Sequence, residues 1–148
     1  MKKIISLLFV FVACMFFLSA CGADPSSVAE DQIRIQLICE SKDIYQIYYT
    51  CYIDGEYFAM GGFADLDGNE LTADSDCSAI FSKGYFEGND ISKLSFDFSP
   101  FGKGDVVELA RTDQVAIQAQ YGHSYTIIFS GDVSNGFTAE LADENQNK

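Results

Sequence analysis

Residues 91–98 read ISKLSFDF, and their second half decides the fold. From Leu94 onward the side chains alternate: Leu94, Phe96 and Phe98 point one way, Ser95 and Asp97 the other. A period of two marks a strand with one face in a core and the other in water. The pattern repeats outward in both directions. GFTAEL (136–141) sets Phe137, Ala139 and Leu141 against Thr138 and Glu140, and QIRIQLIC (32–39) sets Ile33, Ile35, Leu37 and Cys39 against Arg34 and Gln36. IYQIYYTCYI (44–53), EYFAMGGFA (56–64), CSAIFS (77–82), DVVELA (105–110), QVAIQ (114–118) and SYTIIFS (124–130) complete the set. Turn signals separate them: Ser41-Lys42-Asp43, Asp54-Gly55, Asp67-Gly68-Asn69 and Asn135-Gly136. After residue 21 no stretch sustains a 3.6-residue period over a helical length.

Nine or so short strands at this spacing predict an all-β domain over 32–141: a single antiparallel β-sandwich, immunoglobulin-like in architecture, with a small β-barrel as the alternative. The chain has no Trp, so the antibody-type Cys…Trp…Cys core is absent. The closing residues 142–148, ADENQNK, read as a disordered tail.

The first twenty-two residues are of another kind. A cationic MKK precedes the apolar run IISLLFVFVACMFF (4–17), then Leu18-Ser19-Ala20-Cys21-Gly22. The apolar run suits a signal segment and is short for a bilayer span, which needs roughly 20 apolar residues. The five residues that follow it resemble the lipobox of bacterial lipoproteins. The resemblance implies that Cys21 receives a diacylglyceryl thioether and that cleavage between Ala20 and Cys21 removes residues 1–20. It further implies a mature protein held at the outer, extracytoplasmic face of the cell membrane by its acyl chains, palmitate among them. One chain alone anchors marginally, and two or more anchor stably, each buried CH₂ contributing about 0.8 kcal/mol. Residues 21–31, which include GADPSSVAE, then read as the lipidated cysteine and a flexible tether. The stretch YGHSYTIIFSGDVSNGFTAEL (121–141) resembles small lipoproteins of Gram-positive bacteria in texture, a resemblance that implies no activity.

Cleavage at Cys21 leaves 128 of the 148 residues, and the loss of Lys2 and Lys3 takes the formal charge from −13 to −15. That balance argues against nucleic acid and against adhesion to anionic lipid headgroups, and it suits solubility at a crowded surface or a cationic partner. Besides Cys14 in the leader and Cys21, there are Cys39, Cys51 and Cys77. No C-x-x-C occurs, which weighs against a redox motif or zinc site. An extracytoplasmic address permits one disulfide. If residues 41–43 form a hairpin turn, Cys51 lies about 20 Å from Cys39 at ~3.3 Å per residue, so the expected pair is Cys51–Cys77, with Cys39–Cys77 next.

Motifs for catalysis are sparse. His123 is the single histidine. It has no G-x-S-x-G or H-E-x-x-H companion, and a lone histidine cannot build a His-based zinc site. With 22 acidic residues, some carboxylate pair always looks feasible and carries no signal. The reading is therefore a non-enzyme without a cofactor. The loop ADLDGNELTADSD offers Asp65, Asp67, Asn69 and Asp76 as oxygen ligands for Ca²⁺. Its glycine, Gly68, comes fourth rather than sixth, so the EF-hand pattern is not met; an Asp-Gly-Asn turn explains it equally.

The tyrosines are denser. Period two puts Ile47, Tyr49, Cys51 and Ile53 on one face of the second strand, with Ile44, Gln46, Tyr48, Thr50 and Tyr52 on the other. With Tyr57 across the Asp54-Gly55 turn, Tyr48 and Tyr52 form a candidate binding face, since tyrosine joins an apolar body to a polar tip. Strand propensity and cross-strand pairing account for the same residues without function. The expectation is a lipid-anchored extracytoplasmic domain that binds an extracellular ligand. The alternatives are an accessory envelope subunit docking a partner protein and, third, an enzyme whose groups converge on His123 or a carboxylate pair.

Overall fold

The alternating runs become eight strands. In the computed structural model, which describes residues 27–142, these are β1 (Gln32–Cys39), β2 (Gln46–Ile53), β3 (Glu56–Ala64), β4 (Cys77–Ser82), β5 (Leu94–Phe101), β6 (Val115–Ala116), β7 (His123–Asp132) and β8 (Gly136–Leu141). Short 3-10 turns at Lys83–Phe86 and Ile91–Lys93 lead from β4 into β5. The leader with Ala20 and Cys21, most of the tether and the tail from 143 onward lie outside the described residues.

The strands form two four-stranded sheets, ordered β4-β1-β7-β8 and β3-β2-β5-β6. The domain is a β-sandwich. Both described sheets are open, so the barrel alternative falls. One pairing departs from the antiparallel expectation: β1 runs parallel to β7, from Ile33 opposite His123 to Cys39 opposite Phe129. The anticipated hairpin between β1 and β2 is absent as well. Residues 40–45 cross from one sheet to the other, with Ile44 buried in the core and Asp43 in the left-handed region at φ 59°. Ile44 thus leaves the outer face assigned to it above. At Asp54-Gly55 the turn does form; both residues have positive φ (55° and 81°), the primed geometry that matches strand twist.

Inner faces supply the core. Ile33, Ile35, Leu37 and Cys39 of β1 meet Ile47 and Cys51 of β2, Leu94, Phe96 and Phe98 of β5, and Ile127 and Phe129 of β7. Phe81 joins the sheets, its ring 6.2 Å from Tyr49 and 6.3 Å from Phe96. This arrangement corrects the disulfide expectation, since Cys39, Cys51 and Cys77 are all buried free thiols. Cys51 pairs in register with Phe96, which packs against Phe81. Phe81 is four residues along β4 from Cys77, so Cys51 is neighboured by the end of β4 opposite to that thiol. Cys39 lies diagonally across from Cys77, because Leu37 is the residue opposite Cys77. Diagonal neighbours sit about 7–8 Å apart between Cα atoms, too far for a bridge.

Two expected strands shrink. DVVELA is irregular, with Val106 and Val107 exposed, and QVAIQ keeps two paired residues. The chain from 108 to 114 serves instead as a cover for β5. Thr112 N donates to Phe98 O, and Phe98 N to Thr112 Oγ1. Ser95 bonds Gln114 at 3.1 Å. The polar face of β5 is therefore not wet: Ser95, Asp97 and Ser99 are buried.

Candidate functional site

The outer face of the second sheet gathers the tyrosines. β2 contributes Tyr48, Thr50 and Tyr52, and the register with β5 sets them opposite Ser99, Asp97 and Ser95 respectively. On the other flank, β3 sets Gly62, Met60 and Tyr57 beside Tyr48, Thr50 and Tyr52. A bulge between Cys51 and Tyr52 keeps Tyr57 on this face while Phe58 turns inward, packing on Phe86 at 5.3 Å. Tyr48, Tyr57 and Met60 are 43%, 64% and 63% exposed, so the three expected tyrosines share one face with a methionine that the sequence reading did not single out.

Tyr48 is flanked on two sides. Its ring stands edge-on to Phe101 at 5.2 Å, and it overlies Gly62, where a Cβ would meet Cδ1 at 2.7 Å. A glycine in mid-strand here makes room for an aromatic ring.

At the β5 side of the face lies Asp97, only 4% exposed. Tyr52 donates its hydroxyl to Asp97 Oδ2 at 2.7 Å, and that bond raises the Tyr52 pKa. Arg111 Nη1 stands 3.9 Å from the same oxygen. The other end of the guanidinium, Nη2, donates to Glu108 at 3.1 Å. Glu108, bonded by Ser99 and then by Arg111, is held below the ordinary carboxylate pKa. Asp97 Oδ1 is enclosed and has no hydrogen-bond partner among the described residues. Two carboxylates thus share one guanidinium, and one buried acceptor is unfilled. Arg111 and Glu108 escaped the sequence reading. The available signal was the S-x-D-x-S pattern of β5, three polar positions in one row beneath a polar segment.

The other candidates are dispersed. His123 opens β7 beside a cleft of about 480 Å³ lined by Gln118, Gln120, Ser124, Tyr125 and Thr126. Tyr125 Oη accepts from Gln120 N at 2.7 Å. Among the described residues no carboxylate lines that cleft. In the acidic loop, Asp65 Oδ1 accepts from Asp67 N, Asn69 N and Asn69 Nδ2, and these bonds hold its pKa below the usual value. Asp76 accepts from Ser78 instead. Asp65, Asp67 and Asn69 build a turn, and Asp76 is not gathered into it. Among the described residues no three His, Cys, Asp or Glu side chains converge as metal ligands. No described helix is long and apolar enough to cross a membrane.

No protein-family model matches the chain, and no curated protein matches it. Among solved structures it is similar to the NMR structure of a protein from Eubacterium rectale, at 12% identity over 86% of this chain and 100% of that one, with a TM-score of 0.37. That likeness is too slight to carry fold or function across.

Proposed function

We propose that the chain is a lipid-anchored extracytoplasmic binding module, tethered through Cys21, whose ligand docks on the outer face of the second sheet. The observation that carries the reading is the exposure of Tyr48, Tyr57 and Met60 together on two paired central and edge strands. Flat aromatic surface on a rigid sheet costs little entropy to bury, which is why tyrosine recurs in recognition surfaces, and methionine adds a polarizable side chain that adapts to a partner. The location rests on the lipobox resemblance at Leu18–Gly22 and on the cationic and apolar segments before it. Nothing in the reading calls for catalysis or a cofactor.

Two measurements test it. Expressed in bacteria, Cys21→Ser is expected to give a folded protein that is neither acylated nor processed at residue 20; an acylated product of mature size would overturn the anchor. Thermal melts of the chain from Cys21, made without lipid, against Ca²⁺, cell-wall glycan fragments and cationic peptides test the binding face. A ligand at 100 times its Kd adds about 2.7 kcal/mol, several degrees in Tm. The shift should disappear in Tyr48→Ser and Tyr57→Ser. A shift untouched by either substitution would place the ligand elsewhere.

A further inference from the structure

We infer that this face takes a cationic side chain, the guanidinium or ammonium group of an extended partner peptide, which pairs with Asp97 and rests against Tyr48 and Tyr52. The inference rests on the binding role proposed above and names the chemistry of the ligand.

Three observations converge. Asp97 is 4% exposed, yet its Oδ1 has no hydrogen-bond partner among the described residues. A buried carboxylate oxygen left unfilled is costly, and a cation that brings N–H donors to it removes that cost. Second, the counterion is over-committed. Arg111 approaches Asp97 at 3.9 Å while donating to Glu108 at 3.1 Å, leaving the trio with one uncompensated negative charge. Arg111 is half exposed and belongs to the irregular segment over β5, so it can swing outward with Glu108. Third, the approach is aromatic. Tyr52 is hydrogen-bonded to Asp97, and Tyr48 stands diagonally across from Asp97 with its ring partly open to solvent. Tyrosine rings attract cations through their faces, and a guanidinium fits both ring and carboxylate. The acidic balance of the chain steers such a partner inward.

The probe is a fluorescein-labelled hexa-arginine peptide, with hexa-glutamine as the neutral counterpart, read by anisotropy at about 0.15 M salt. Asp97→Asn should weaken hexa-arginine binding by about tenfold or more, the loss expected when a buried charge pair is removed. Arg111→Gln removes the resident competitor and should tighten binding by roughly three- to tenfold. Lys83→Gln removes the same charge from the end of β4 and serves as the control. If Asp97→Asn binds as the parent does, or if Arg111→Gln gains no more than Lys83→Gln, general acidity holds the peptide and the inference is overturned. Should Asp97→Asn fail to fold, the Arg111→Gln comparison decides alone. A thermal shift from another ligand that is lost in Tyr48→Ser and kept in Asp97→Asn would retain the binding face and reject the cation.

Discussion

Adjacent glycines in β3 offer a test of how the two faces of the second sheet differ. Gly61 points into the core and Gly62 out of it. A Cβ on Gly61 would fall well inside van der Waals contact of Tyr49 Oη and Cζ. That ring is wedged among Phe63, Phe96 and Phe81, with centroids 5.3, 6.0 and 6.2 Å away, so it has little freedom to retreat. Overpacking of this kind costs about 1–3 kcal/mol, and the reduced entropy of the unfolded chain returns about 0.4–1 kcal/mol. Gly61→Ala should therefore destabilise by about 1–2 kcal/mol, roughly 4–8 °C in Tm for a domain of this size. A Cβ on Gly62 meets Tyr48 Cδ1 at 2.7 Å, but Tyr48 is 43% exposed and can swing into solvent. Gly62→Ala should stay within about 0.5 kcal/mol of the parent. Urea titration and thermal melts followed by circular dichroism give both numbers. Near-ultraviolet signals report tyrosine packing directly, since the chain lacks Trp. Adding Tyr49→Leu to Gly61→Ala should recover part of the loss, because the two sites share one space. Equal costs at the two glycines, or a larger one at Gly62, would refute the assignment of faces.

Other perturbations address the thiols, the pH limits and the Asp97 bond. Native protein should resist iodoacetamide at Cys39, Cys51 and Cys77, all three should react in denaturant, and non-reducing peptide maps should show no link. Burial pushes Cys51 from 9.0 to about 12 and Cys77 to about 11. Above pH 9 the unfolded chain loses these protons before the folded one, so stability should fall as pH rises from about 9 towards 12, and Cys51→Ala should shallow that fall. Asp65, Asp90 and Asp132 are held below 3.8 by hydrogen bonds from Asn69, Ser92 and Asn135 respectively. Their contribution is complete above the unfolded value and lost below it, so the urea midpoint should hold to about pH 5 and decline below about pH 4. Tyr52→Phe strips the hydroxyl from Asp97 Oδ2 and should cost about 1–3 kcal/mol in the same titration.

Much of the fold was legible because period two is a local property. The alternating runs at 32–39, 77–82 and 136–141 are strands with those bounds, Asp54-Gly55 turns the chain with both residues at positive φ, and the Asn135-Gly136 signal falls at the β7–β8 turn with only Gly136 at positive φ. Which strand lies beside which is not local. Nothing in Ile33–Cys39 announces a parallel neighbour, because the pattern specifies a face and not a partner. The same limit explains the errors at β5 and its cover. Ser95, Asp97 and Ser99 look like a wet face until residues 108–114 lie across them. DVVELA has strand-like composition yet places Val106 and Val107 in solvent, since Thr112 and Leu109 take the hydrogen bonds at the β5 edge. The tyrosine face was legible, for Tyr48 and Tyr52 are four apart, an even spacing that keeps both on one face of a strand. Its charged partner was not, because Arg111 meets Asp97 only through the tertiary path of the segment.

The parallel pairing of β1 with β7 has a kinetic consequence. Ile33 and His123, register neighbours at the middle of the first sheet, are 90 residues apart in the chain. Closing so long a loop must precede the contacts that reward it, which slows folding and leaves strand edges open meanwhile. The β2–β3 hairpin and its β5 neighbour can assemble from residues 46–101 alone. The first sheet has no centre until residues 123–129 arrive. A chain emerging N-terminus first therefore carries β1 unpaired on its β7 side until residues 123–129 have been made, and the docking of β7 is the step that joins the first sheet at its centre.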